Sequence, residues 1–74
     1  MIRNNIREWR AQRGLGGITK AHLARRVGVS RSYIARVESG AREPSADVMF
    51  RIAQYFGCGV EQVFHYETTP SERK

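Results

Sequence analysis

The sequence predicts an all-α fold of five short helices around one core. Two observations predict it. Apolar residues recur at three- and four-residue spacing in successive short blocks, the period of a helix with one buried face. Most of the blocks are also bracketed by a small polar capping residue before them and a glycine after them, the chemistry of a helix start and a helix stop.

The first block is Ile2, Ile6 and Trp9. Their spacing puts them on one face of a helix that Asn4 or Asn5 can cap and Gly14 would end. Gly14-Leu15-Gly16-Gly17 is too rich in glycine for a helix or strand and reads as a loop, with Leu15 expected to tuck against the core.

Thr19 caps the second helix, which runs to about Val27 with Leu23, Ala24 and Val27 inward and Arg25 and Arg26 outward. Gly28 ends it, and Ser30 caps the next helix only two residues later. The third helix runs from about Ser30 to Ser39, burying Ile34 and Val37 and presenting Arg31, Ser32, Tyr33, Ala35 and Arg36. Gly40 closes it.

After Ala41-Arg42-Glu43-Pro44, Ser45 caps the fourth and most clearly amphipathic helix, with Val48, Met49, Ile52, Ala53 and Phe56 at core spacing and Gly57 at its end. Val60, Val63 and Phe64 suggest a short fifth helix after Gly59. No strand is expected. Residues 1–66 form one domain in this reading, and 67–74, polar and containing Pro70, form a frayed C-terminal tail.

Composition fits a single soluble domain. The chain has 74 residues, 41% hydrophobic and 27% charged, and a formal charge of +6, which favours a polyanionic partner. One cysteine, Cys58, excludes an internal disulfide. No apolar run approaches the roughly 20 residues of a membrane span, and the first residues lack a signal peptide's apolar stretch, so a cytoplasmic protein with no membrane association is expected.

The informative unit is Thr19 to Gly40, TKAHLARRVGVSRSYIARVESG. Ala24 lets two helices cross closely, Gly28 makes the tight turn, and Ile34 with Val37 anchors the second helix on the first: a helix-turn-helix. With Leu23-Ala24, Gly28 to Ser30, Ile34 to Gly40, Pro44-Ser45 and Ile52 to Gly57, the chain resembles the Cro and phage-repressor family, also called the xenobiotic response element (XRE) family. The resemblance covers nearly the whole chain and implies a lambda-repressor-like DNA-binding domain.

That resemblance implies residue roles. The first turn of the third helix would meet base edges, here Arg31, Ser32 and Tyr33, with Arg36 one turn on. Arginine can donate two parallel hydrogen bonds to guanine O6 and N7, or instead reach a phosphate. Lys20, where the family usually has glutamine, and Ser39 and Arg42 would contact phosphates of double-stranded DNA. Arg10 and Glu38 occupy positions that form a structural ion pair. The connection before Thr19 is about three residues longer than usual, and His22 replaces a common glutamate, removing a capping box.

The implied function is transcriptional regulation, most simply repression, by a homodimer on an inverted-repeat operator. Tyr55, Phe64 and Tyr66 are candidates for the two-fold contact. An alternative is an antitoxin or accessory protein-interaction module of the same fold, with an exposed apolar patch around Val60, Phe64 and Tyr66 serving a protein partner. A third reading is an architectural protein of little base specificity. No cofactor or catalysis is expected, and Cys58, His22 and His65 lack the paired spacing of a metal site.

Overall fold

The computed structural model describes residues 2–66. The chain runs β1 (Ile2–Asn4), α1 (Ile6–Ala11), α2 (Lys20–Val27), α3 (Arg31–Ser39), α4 (Ala46–Phe56), a 3-10 turn (Val60–Gln62) and β2 (Phe64–Tyr66). The fold is therefore mainly helical, but with four α-helices and a small sheet instead of five helices. The polar tail expected from residue 67 lies outside the described residues.

Three helices begin alike. Thr19, Ser30 and Ser45 hold extended backbone, and each side-chain oxygen accepts the N–H of the residue three further on, at 3.0, 3.0 and 3.2 Å. Each cap satisfies a donor that has no partner within its helix, a contribution of about 1 kcal/mol. Leu23, Ile34 and Ile52, one from each helix, are fully buried, and Ala24, Val27, Val37, Val48, Ala53 and Phe56 complete the interior with Ile6, Val63 and Phe64. At roughly 25 cal/mol per Å² of apolar surface removed from water, this cluster is the main favourable term in folding.

The structure overturns the expectation of a fifth helix and of no strands. Ile2, Arg3 and Asn4 pair antiparallel with Tyr66, His65 and Phe64. Ile2 sits four residues before Ile6, so helical spacing is satisfied by coincidence. The chain leaves helical geometry at Asn5, and Asn4 Oδ1 accepts the Ile6 N–H at 3.2 Å instead. After Gly59 a single 3-10 turn suffices to bring Val63 and Phe64 inward, and the Gly59 N–H just before it donates to the Gln62 side chain at 2.8 Å.

Two further expectations change. Helix α1 ends at Ala11, before Gly14. Leu15 is fully exposed rather than tucked in, because positive φ angles at Gly14, Gly16 and Gly17 turn the loop outward and Ile18 takes the core-side position.

Candidate nucleic-acid interface

The α2 to α3 connection is built for a sharp turn. Gly28 adopts φ 89°, and the N–H groups of Gly28 and Val29 both donate to Ala24 O, at 2.8 and 3.0 Å. A side chain is rarely found at that φ, so the turn depends on glycine. Arg51 of α4 donates to Val27 O at 3.2 Å and pairs with Asp47 at 3.1 Å, placing a cation at the negative end of α2. Sequence reasoning missed Arg51.

With Ile34 and Val37 buried, the opposite face of α3 looks outward. Arg31, Ser32, Arg36 and Ser39 are exposed there, while Ala35 and Tyr33 are half-buried. Neither the Arg31 nor the Arg36 guanidinium has a partner among the described residues. Two cations five residues apart on the outward side of a helix, uncompensated among the described residues, suit an anionic groove.

The other predicted positions fall into two groups. Lys20 opens α2 and lines a concave surface with Asn4, Arg7, Ala35 and Ser39, beside the C-terminal half of α3. Ser39 is also engaged internally: its hydroxyl donates to Arg36 O at 3.1 Å and accepts from Ala41 N–H at 3.4 Å. On the opposite flank of α3, the Arg42 guanidinium lies 4.9 Å from the Tyr33 ring centroid, and the Tyr33 hydroxyl accepts the Ser45 N–H at 3.4 Å.

Arg10 and Glu38 meet directly. Arg10 Nε donates to Glu38 Oε2 at 2.6 Å and Nη2 to Oε1 at 3.2 Å, while Nη1 donates to Ile18 O at 2.8 Å. The guanidinium is thus committed to the protein on all three nitrogens.

Two more positioning contacts carried no signal in the sequence. Asn4 Nδ2 donates to Val37 O at 2.8 Å, tying β1 to the end of α3. Arg13 donates to Tyr55 O at 2.7 Å and lies over the Tyr55 and Phe56 rings, joining the segment just after α1 to α4. Cys58 is half-buried; desolvation first, then the Glu61 carboxylate, raises its thiol pKa, against an opposing pull from Arg13. Among the described residues no cluster of three or more metal-ligating side chains occurs, and no helix is long and apolar enough to cross a membrane.

The helix-turn-helix family model matches residues 6–63, spanning α1 to the end of the 3-10 turn. This chain belongs to the XRE-type helix-turn-helix family. Its relatives agree. It is 38% identical over 66 residues to an uncharacterized HTH-type transcriptional regulator of Methanocaldococcus jannaschii, covering 89% of this chain and 96% of the relative. It is 36% identical to a similarly named protein of Archaeoglobus fulgidus, over 89% of this chain and 90% of that one. A Mycobacterium tuberculosis protein of the same description is 40% identical over 55 residues, but this chain spans only 39% of it. The XRE-type family is one of transcriptional regulators, and the paired helices α2 and α3 are its defining unit.

Proposed function

We propose that the chain is a sequence-specific DNA-binding repressor that sets α3 in the major groove of an inverted-repeat operator, as a homodimer. The observation that carries this reading is the pair of guanidinium groups, Arg31 and Arg36, without a partner among the described residues, on the exposed face of a helix that follows a tight turn. Arg31, Ser32 and Arg36 read base edges, and each bidentate arginine-guanine pair discriminates by about 1 to 3 kcal/mol. Tyr33 flanks that face. Lys20 at the positive end of α2 and Arg42 after α3 grip phosphates. Ser39 joins them only by releasing Arg36 O, so it ranks behind both.

A second copy completes the unit. Phe50 and Tyr66 are 65% and 73% exposed, and half-buried Val60 links two shallow apolar pockets, one beside Phe50 and one that Ile2 and Met49 line beside Tyr66. Two recognition helices about 34 Å apart would then match one turn of DNA. Of the aromatics considered for this contact only Tyr66 is free, since Phe64 is buried and Tyr55 is held under Arg13. The same patch gives the second reading, an antitoxin-like module in which it binds a different protein.

The test is selection of bound sequences from random duplex DNA at near-physiological salt, for the natural protein and Arg31→Ala. A palindromic site, relaxed at one position per half-site in the variant, supports the proposal. Failure to enrich any sequence overturns it and directs attention to a protein partner.

A further inference from the structure

Tyr33 stands on the flank of α3 that turns toward the loop before α4, not at the centre of the exposed face. Its hydroxyl accepts the Ser45 N–H at 3.4 Å, and its ring carries the Arg42 guanidinium 4.9 Å from the centroid. The base of Arg42 is fixed separately. The N–H groups of Ala41 and Arg42 both donate to Arg36 O, at 2.9 and 3.2 Å, folding the chain back after Gly40. Both ends of the Arg42 side chain are therefore held, its backbone by α3 and its head by the ring.

A guanidinium held over an aromatic ring keeps its charge, and the contact with the ring face leaves N–H donors available for an anion. Arg42 has no carboxylate partner among the described residues. Without the ring, a long flexible side chain would sample many rotamers, and most would point away from any one anion.

We propose that Tyr33 is a positioning residue: it reads no base, and instead holds Arg42 over its ring so that the guanidinium meets a DNA phosphate beside the groove entered by α3. This rests on the DNA-binding reading above, but the stacking itself is a property of the free protein. A base-reading Tyr33 would govern which sequence is bound. A platform governs how tightly every sequence is bound.

The experiment has two arms. In the free protein, side-chain NMR reports the ring-current shift of the Arg42 δ-methylene protons in the natural protein, Tyr33→Phe and Tyr33→Leu. By fluorescence anisotropy across a salt titration, the same proteins, Arg42→Ala and the Tyr33→Leu/Arg42→Ala double variant are titrated onto a short duplex enriched by selection and onto a scrambled duplex. Thermal melts confirm folding, and Tyr33→Gln replaces Tyr33→Leu if the latter does not melt cooperatively.

The expected result is an upfield Arg42 shift that Tyr33→Phe keeps and Tyr33→Leu loses. Tyr33→Leu then weakens both duplexes alike, about two- to five-fold, with a log-log salt slope shallower by up to about 0.9. In the Arg42→Ala background it has no further effect. An unshifted Arg42 in the natural protein overturns the stacking. A shifted Arg42, with Tyr33→Leu relaxing one base position at unchanged salt slope, overturns the positioning role. A shifted Arg42 in a protein that binds neither duplex overturns the DNA-binding reading and, with it, the phosphate as the target of Arg42.

Discussion

Arg10 and Glu38 form a two-pronged ion pair between α1 and α3, 2.6 Å at its shorter contact, with side chains only 14% and 9% exposed. The pair fixes the C-terminal half of α3 against α1, close to Lys20 and Ser39. Because both charges are largely out of water, the cost of removing one partner is dominated by the charge left behind.

Glu38→Ala should therefore destabilise the protein by about 3 to 5 kcal/mol. For a domain of this size that lowers the thermal midpoint by more than about 10 °C. The double variant Arg10→Met/Glu38→Leu should recover most of the loss, since no lone charge remains. Calorimetry of the three proteins checks this, and a single-variant loss below about 1 kcal/mol would show that the pair is effectively solvated.

The region from Thr19 to Gly57 was legible because its signals are local. Thr19, Ser30 and Ser45 are good N-caps by virtue of their own side chains, and Gly28, Gly40 and Gly57 take left-handed geometry at the three helix ends. The β1 to β2 pairing was not legible, since Ile2 meets Tyr66 across the length of the described chain and nothing near either residue announces the other. Arg13, Arg51 and the bond from Asn4 to Val37 escaped notice for a related reason: each side chain donates to a main-chain carbonyl, and a carbonyl leaves no mark on residue type. At the candidate interface, spacing located the exposed face of α3, but it could not reveal that Tyr33 and Ser39 are engaged within the protein.

Gly17 should tolerate substitution less well than Gly16. Both have positive φ, 84° and 85°, so either alanine pays about 1 to 2 kcal/mol for left-handed backbone. A Cβ at Gly16 meets open space, whereas one at Gly17 would stand 2.9 Å from Arg10 O and 3.1 Å from Ala11 Cα. Those are backbone atoms at the end of α1, which cannot swing aside. Denaturant unfolding should place Gly17→Ala at least about 1 kcal/mol below Gly16→Ala, and equal stabilities would mean that the loop moves freely away from α1.

Cys58 should react slowly with a thiol-directed reagent at neutral pH. Partial burial and the Glu61 carboxylate both disfavour the thiolate, so its pKa is raised and less of the nucleophilic form is present than in a free cysteine. Glu61→Gln removes one of the two raising influences while Arg13 remains, so the thiolate fraction and the labelling rate at fixed pH should rise. A rate unchanged or slower in Glu61→Gln would leave access, not ionisation, as the control.

Phe50 offers the most direct test of the proposed homodimer. It is 65% exposed on α4 and makes no contribution to the buried core, so Phe50→Glu should change monomer stability by no more than about 0.5 kcal/mol. If a second copy covers the patch, the same substitution puts a charge into a desolvated contact and should weaken self-association by roughly 2 kcal/mol, about 30-fold. Leu15→Glu is the matched control, because Leu15 is a fully exposed apolar residue on the glycine-rich loop, lining neither of the two apolar pockets of the patch. Sedimentation velocity over a concentration series should show Phe50→Glu dissociating where the natural protein and Leu15→Glu remain dimeric. Dimers unaffected by Phe50→Glu would move the two-fold contact elsewhere, and a natural protein that sediments as a monomer throughout would leave the patch to a different polypeptide.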